Sequence, residues 1–288
     1  MTPRGALKPG RRLAGDYEVI AHLARSNVLD VYDAWWRDGC CRVVLKTLRP
    51  DRRKHAASAR ALLREGRLLE RLRHPHIVRA YATLTEPRPF VVLETLRGET
   101  LAHLIERRER RLSAAELGFL GLHLCSAVAY LHADGILHLD IKPSNVIAEA
   151  GRAKVIDLSV ARKPGRSKAG VGTWCYMSPE QAQGGVLGPA ADVFGIAGVL
   201  FESATGDCAF DDEADAGVDY PQLVRDAAPV RTRRRGLPAE LASAIDRGLS
   251  RDPGARPSLV ELAAACESAA ALPGAERIAS RTLSGSNR

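Results

Sequence analysis

Long apolar runs are missing from this sequence of 288 residues. A helix that spans a bilayer needs about 20 consecutive, mainly apolar residues, and no stretch approaches that length, so we expect no membrane span. The beginning, Met1 to Gly10, carries charge but no apolar segment, which argues against a secretory signal peptide. Aromatic residues make up only 5% of the chain, and no helix-turn-helix, zinc-finger or stacked-aromatic pattern occurs. We therefore expect no nucleic-acid partner.

The six cysteines lack the spacing of a metal site. None belongs to a C-x-x-C motif, and Cys40 and Cys41 are adjacent, which argues against a zinc site and against a disulfide framework. Cys125 and Cys266 lie in apolar stretches, where cysteine usually serves as a small core residue. Free thiols are typical of a reducing compartment, so we expect a cytoplasmic protein.

The sequence does contain the composition of a soluble globular protein, with 45% apolar and 26% charged residues. Its net charge of +8 is uneven: residues 1–97 carry 20 Lys and Arg against 10 Asp and Glu, whereas residues 98–288 carry 22 against 24. A basic half can indicate nucleic acid or a membrane surface as a partner. The alternative, which we favour, is an arginine-rich background without a binding role.

Apolar periodicity divides the chain into a strand-rich part and a helical part. Alternating apolar residues from Tyr17 onward predict antiparallel strands, and helical spacing over 56–73 predicts one helix among them. A capping box at Ser113 and Glu116 opens a long helix that runs to about residue 132. Further helices are predicted at about 190–204, 238–250 and 258–270.

These elements predict an α+β protein in two lobes. We place a flexible basic leader at 1–14, an N-terminal lobe at 15–97, a C-terminal lobe at 98–270 and a disordered tail at 271–288. The tail is polar, as chain ends without packing usually are.

The most informative segment is the run HLDIKPSN at 138–145, which Asp157 follows twelve residues later. Phosphoryl transfer from ATP needs a carboxylate that orients the attacking hydroxyl, a cation at the travelling phosphoryl, and oxygen ligands for Mg²⁺. These groups could come from Asp140, Lys142, Asn145 and Asp157. Singly, each residue could be an ordinary turn former or cap. The ordered combination rarely arises by chance, and it indicates phosphoryl transfer.

This run resembles the catalytic loop of protein kinases, with Asp157 in the place of the Asp of D-F-G. The likeness extends over about residues 16–268 and includes VVLK at 43–46 and GTWCYMSPE at 172–180. Lys142 and Thr173 match the Ser/Thr-specific members, so the chain is similar to the bacterial serine/threonine kinases of eukaryotic type. The resemblance implies the two-lobed kinase fold, ATP and Mg²⁺ as cofactors, and protein Ser/Thr hydroxyls as substrate.

The resemblance implies a nucleotide site in the N-terminal lobe. Lys46 would pair with the ATP phosphates and be held by Glu65, 19 residues further on. The backbone carbonyl of Glu94 and the backbone N–H of Leu96 would contact adenine. Leu23 and Val31, on the strands that flank the glycine-rich loop of the family, would complete the site.

For the C-terminal lobe, the resemblance implies the catalytic groups. Asp140 would accept the proton of the substrate hydroxyl, and Lys142 would stabilise the moving phosphoryl group. Asn145 and Asp157 would bind Mg²⁺. Outside the reaction itself, Glu180 would need a cationic partner, for which Arg256 is the candidate, and Asp192 would anchor the catalytic-loop backbone.

The glycine-rich loop of the family has lost its glycines here. Ala24, Ser26 and Leu29 stand in their places, while Val31 keeps the register. Glycine lets backbone N–H groups close over phosphates without a Cβ in the way. We expect weaker binding of ATP and a stiffer loop.

A second departure is Leu139, which replaces the Arg that receives the phosphate of a phosphorylated activation loop. Between Asp157 and Glu180, Ser167 is the one central hydroxyl. We therefore predict an activity that does not depend on phosphorylation of this loop. Leu158 and Ser159 also replace the Phe-Gly that follows the metal-binding Asp.

Two functions remain open at this point. The first, which we favour, is an active serine/threonine kinase, because every residue with an electrostatic role in transfer is present. The second is a pseudokinase, a scaffold that binds nucleotide weakly or not at all. A small-molecule kinase is a weaker third option, since the segment at 172–180 resembles a peptide-binding platform.

Overall fold

The computed structural model describes residue 3 and residues 5–107, 111–210 and 217–271. The chain divides into two units, Met1–Arg97 and Gly98–Arg288. The division falls where the sequence changes from a strand pattern to a helical pattern. Apart from residue 271, the tail predicted at 271–288 lies outside the described residues.

The first unit is an antiparallel sheet with one long helix. Its elements are β1 (Arg12–Leu13), β2 (Tyr17–Arg25), β3 (Leu29–Trp36), β4 (Cys41–Leu48), α1 (Ala56–Arg71), β5 (Ala80–Leu84) and β6 (Phe90–Glu94). The strand order is β1-β2-β3-β4-β6-β5, and all pairs are antiparallel. Helix α1 ends two residues earlier than predicted, because Leu72 already has extended backbone.

Helix α1 approaches the sheet closely at a glycine. A Cβ on Gly66 would lie 2.7 Å from the side chain of Val91 on β6 and would clash with the Thr83 hydroxyl on β5. Any other residue would push the helix away from the strands. Gly66 therefore lets the neighbouring Glu65 point into the buried side of the sheet.

The segment predicted as a flexible leader at 1–14 is partly packed instead. Leu7 and Leu13 are buried in the same apolar cluster as Tyr17 and Phe90. The N–H of Leu7 also donates to the Tyr32 hydroxyl at 3.0 Å. Burial of each leucine side chain stabilises the folded protein by about 1.5–3 kcal/mol. This gain holds the segment against the sheet although the segment is basic.

The second unit is mainly helical. Its helices are α2 (Leu101–Arg107), α3 (Ala114–Ala133), α4 (Pro179–Gln183), α5 (Pro189–Thr205), α6 (Val230–Arg233), α7 (Ala239–Gly248) and α8 (Leu259–Ala270). The short strands are β7 (Glu99–Thr100), β8 (Val146–Glu149), β9 (Arg152–Val155), β10 (Gly165–Ser167) and β11 (Gly185–Leu187). They form one sheet in the order β7-β8-β9 and a pair, β10-β11. The predicted α+β class is confirmed.

Helix α3 begins at the predicted capping box: Ser113 accepts from the Glu116 N–H, and the Glu116 side chain accepts from the Ser113 N–H. By length and composition α3 could cross a membrane. The search of the sequence for long apolar runs did not identify this helix. It packs against α8, where a Cβ on Gly118 would lie 2.5 Å from the Cys266 carbonyl oxygen. A buried core helix and a membrane helix share this composition.

Candidate active site

Lys46 and Glu65 form a buried ion pair in the first unit. Lys46 Nζ lies 2.8 Å from Glu65 Oε1 and 2.9 Å from Oε2, and the two residues are only 6% and 2% exposed. A buried charge that loses its partner costs several kcal/mol, so the pair holds the ammonium group at one point on β4. The structure brings together the two residues that we paired from the sequence.

The other predicted nucleotide contacts lie in the first unit as well. Val31 lies on β3 directly opposite Lys46, whereas Leu23 on β2 is 54% exposed. At the end of β6, the N–H of Glu94 donates to the Arg79 carbonyl at 3.0 Å. Leu96 follows β6 and is partly exposed. Their roles toward a nucleotide stay predictions.

The segment that lacks the glycines forms a tight turn between β2 and β3. Ser26 Oγ accepts from the N–H of Leu29 at 3.0 Å and from the N–H of Val28 at 3.3 Å. Arg49 donates to the carbonyl oxygens of Ser26 and Asn27 at 3.3 and 3.4 Å. Backbone N–H groups of the kind that cradle phosphates are therefore already engaged by a side chain of the turn.

Asp30 stiffens the same hairpin from inside. Its carboxylate accepts from Arg25 at 2.6 and 2.9 Å and from the Tyr32 hydroxyl at 3.1 Å, and it lies 3.0 Å from His22 Nε2. Burial opposes its ionisation, but the hydrogen bonds from Arg25, His22 and Tyr32 outweigh burial and lower the pKa of Asp30. The β2–β3 hairpin is thus held by a charged cluster around the buried Asp30.

In the second unit, three polar side chains converge on the Asp140 carboxylate. Asp140 Oδ2 lies 2.8 Å from Lys142 Nζ and accepts from Asn145 Nδ2 at 2.9 Å. Thr173 Oγ1 donates to Asp140 Oδ1 at 2.7 Å and accepts from Lys142 Nζ at 2.5 Å. The carboxylate is therefore fixed in orientation, as a base that positions a hydroxyl must be.

Asn145 and Asp157, the predicted Mg²⁺ ligands, lie at the ends of two adjacent segments of the second unit. The N–H of Ile156 donates to the carbonyl of Asn145 at 3.0 Å, which places Asp157 next to the catalytic loop. The Asn145 amide nitrogen is used toward Asp140, so its amide oxygen is the atom that a metal would bind. Carboxylate and amide oxygens are the hard ligands that suit Mg²⁺, and the donor set fits the ion.

The catalytic loop is anchored by Asp192 on α5. Its carboxylate accepts from the N–H of His138 at 2.9 Å and from the N–H of Leu139 at 2.7 Å, and it lies 2.8 Å from His132 Nε2. Leu139 has a φ of 65°, a left-handed conformation that is costly for a leucine. The two charge-assisted bonds to Asp192 offset that cost.

Leu139 occupies an apolar cluster rather than a phosphate site. It is 3% exposed and packs with Leu137, Leu187 and Ala191. The structure adds a cation that the sequence argument did not consider: Arg162 Nη1 donates to the Ser167 hydroxyl at 3.1 Å. The sequence argument noted that position 139 has no arginine to receive a phosphate, and it overlooked Arg162.

Glu180 and Arg256 form the predicted pair. Arg256 binds the carboxylate through both terminal nitrogens, at 2.7 and 2.8 Å, and it also donates to the carbonyl oxygens of Ser250 and Ala190, each at 2.9 Å. The guanidinium group is thereby satisfied although Arg256 is only 7% exposed. This bidentate pair ties α4 to α5 and to the segment before α8.

Two glutamines that we did not predict hold the segment around Thr173. Gln181 Nε2 donates to the carbonyl oxygens of Leu139 and Val171 at 2.8 and 2.7 Å. Gln222 Nε2 donates to those of Trp174 and Met177 at 3.1 and 3.0 Å. Gln181 belongs to a capping-box pattern, Ser-x-x-Gln, which was readable in the sequence. Gln222 carries no such signal.

Comparison with known proteins identifies the same pattern. The family model of the protein kinase domain matches residues 17–266. The serine/threonine-protein kinase PknB of Mycobacterium tuberculosis is 30% identical over 224 residues, which cover 73% of this chain and 36% of that protein. A probable serine/threonine-protein kinase of Streptomyces coelicolor, SCO3848, is 30% identical over 259 residues, or 85% of this chain and 38% of that protein.

Among solved structures, the PknI kinase domain of Mycobacterium tuberculosis has the same fold, with a TM-score of 0.70. The match covers 92% of this chain and 99% of that one, at 23% identity. The two-lobed fold that we inferred from the sequence is therefore confirmed. The chain spans a little over a third of the length of the curated relatives that it matches.

Proposed function

Because the chain belongs to the protein kinase family, we propose that it transfers the γ-phosphoryl group of ATP to serine or threonine hydroxyls of a protein in the cytoplasm. The observation that carries this proposal is the set of contacts around Asp140, with Lys142, Asn145 and Thr173 all bonded to its carboxylate. A family member that had lost catalysis would have no need to keep these side chains bonded to the Asp140 carboxylate.

Each side chain has a defined task in this proposal. Asp140 orients the substrate hydroxyl and takes its proton. Lys142 lies beside that carboxylate and neutralises charge on the moving phosphoryl group. Thr173 links the two and fixes their orientation. Mg²⁺, when bound, neutralises phosphate charge, and Asn145 and Asp157 are the residues that would hold it.

In the first unit, Lys46 contacts the ATP phosphates and Glu65 keeps the ammonium group in place. Leu23 and Val31, together with the backbone of Glu94 and Leu96, receive the base and the sugar. The N–H groups of the β2–β3 turn are engaged by Ser26. The contacts just described therefore supply a larger share of the binding free energy of ATP than they would beside a glycine-rich loop. We expect activity toward or below the slow end of the kinase range of about 1–100 s⁻¹.

Transfer of labelled γ-phosphate from Mg-ATP to the protein and to a generic basic substrate tests the proposal. We expect label with the wild-type chain and none with Lys46→Met or Asp140→Asn. Transfer that survives Asp140→Asn would contradict the role of Asp140 as base. No label from folded protein that also shows no ATP-induced thermal shift would favour the pseudokinase.

A further inference from the structure

Cys175 and Cys208 lie against each other in the second unit although 33 residues separate them. Cys208 Sγ lies 3.7 Å from the carbonyl oxygen of Cys175, so the sulfur of one cysteine contacts the main chain of the other. Both residues are partly exposed, whereas the thiols of Cys125 and Cys266 are buried. Of these two neighbouring pairs, Cys175 and Cys208 are the more exposed as residues.

The backbone on both sides of this thiol pair is held by other contacts. Cys175 follows Thr173, and Gln222 binds the carbonyl oxygens of Trp174 and Met177. Cys208 follows the end of α5, whose Glu202 accepts from the Tyr176 hydroxyl. The two cysteines therefore stay adjacent in the folded protein and do not meet by chance.

We propose that Cys175 and Cys208 are a modification site at which a peroxide converts two thiols into one disulfide. The disulfide joins the segment 172–178 to the residues that follow α5. A disulfide needs a Cα–Cα distance of about 4.4–6.8 Å. Cys208 Sγ already lies beside the main chain of Cys175, so rotation about the side-chain bonds of the two cysteines is the movement that would bring the sulfurs together.

The chemistry balances with hydrogen peroxide as the oxidant. The Cys175 thiolate attacks one peroxide oxygen, the O–O bond breaks, and the leaving hydroxide takes up a proton to become water. The Cys208 sulfur then attacks the resulting sulfenic sulfur, the S–S bond forms, and a second water leaves with the Cys208 proton. Two thiols lose two electrons, and one peroxide is reduced to two waters.

The surroundings assign an order to the two sulfurs. The hydrogen bond with Cys175, burial and the charge of Glu202 all raise the pKa of Cys208. The thiolate is the reactive form of cysteine, so Cys208 reacts second and Cys175 is oxidised first.

The first experiment treats the full chain with hydrogen peroxide under native conditions and maps its peptides by mass without reduction. The variant Cys40→Ser/Cys41→Ser serves as background, so that the adjacent pair cannot exchange. We expect a linked peptide pair that contains Cys175 and Cys208, lighter by two hydrogen atoms and restored by dithiothreitol. Cys125 and Cys266, also close to each other but buried, are the internal control and should stay reduced.

The matched variant Cys208→Ser separates the two steps. It should accumulate a sulfenic acid at Cys175 that dimedone traps, whereas the background protein should not. Two results would overturn the proposal. One is that Cys175 and Cys208 both stay free at peroxide levels that oxidise free cysteine. The other is equal trapping in the background protein and in Cys208→Ser.

The consequence for activity rests on the proposed function. Thr173 lies two residues from Cys175 and bonds to Asp140, so the cross-link restrains a threonine that positions Asp140, and we expect slower transfer that dithiothreitol reverses. If fully cross-linked protein transferred phosphate at an unchanged rate, the disulfide would have no effect on activity. Peptide mapping does not depend on transfer, so a protein without kinase activity could still form the disulfide.

Discussion

Single carboxylates determine the geometry of this protein at several buried points. Asp192 holds two amides of the catalytic loop, and Glu65 holds the ammonium group of Lys46. In each case the carboxylate is almost inaccessible, and removal of one partner leaves the other buried without compensation. Such losses cost about 3–5 kcal/mol, far more than the loss of a surface ion pair.

The Glu65→Gln substitution should therefore reduce both stability and phosphoryl transfer. We expect the free energy of unfolding to fall by about 3–5 kcal/mol, because the buried Lys46 loses its charged partner. Urea denaturation measures this change. Glu70→Gln, on the same helix but partly exposed, is the matched control, with an expected change within about 0.5 kcal/mol. Equal effects of the two substitutions would contradict the assignment.

His138 should make the stability of the protein depend on pH. Burial lowers the pKa of its imidazole, so the unfolded chain binds a proton that the folded protein excludes. Stability is therefore complete above the unfolded pKa of about 6.5 and is lost as the pH falls below it. We expect the urea midpoint to decrease from about pH 7.5 to about pH 5.5, and to decrease less in His138→Asn. Identical slopes for both proteins would exclude His138 as the cause.

At the scale of elements, the β2–β3 turn shows how a loop can lose its glycines and stay folded. Ser26→Ala removes the acceptor for the N–H groups of Val28 and Leu29 and frees them for phosphate. We expect tighter binding of ATP by up to about tenfold, equivalent to about 1.4 kcal/mol, measured by titration calorimetry. Asn27→Ala, which retains the carbonyl bonded to Arg49, is the control. Weaker binding in Ser26→Ala would disprove a competition for these amides.

The segment around β10 should need no phosphate to reach its ordered form. It is held by the pairing of β10 with β11, by the bridge between Leu137 and Arg162 and by the apolar cluster around Leu139. Ser167→Ala should therefore transfer phosphate at the wild-type rate in a steady-state assay. Thr173→Ala, which removes a bond to Asp140, should be slow. A Ser167→Ala protein as slow as Thr173→Ala would make phosphorylation at Ser167 essential.

At the scale of the whole molecule, the residues that could be predicted are those whose side chains carry charge at fixed spacings. Lys46 with Glu65 and Glu180 with Arg256 were paired through the resemblance to protein kinases, and the pairing agrees with the rule that a buried charge needs a defined partner. Gln222 could not be predicted, since it recognises backbone carbonyls, which every sequence provides. Leu7 and Leu13 were overlooked because two isolated leucines produce no periodic pattern.

The attachment of the catalytic loop to Asp192 also sets an order of events during synthesis. The N–H of Leu139 finds its acceptor 53 residues further along the chain, and translation proceeds at about 5–20 residues per second. Asp140 thus leaves the ribosome some seconds before the carboxylate that holds its loop. In this interval a nascent chain contains all residues of the loop but not the carboxylate that anchors it. The loop reaches its anchored form only after α5 has been translated and has folded.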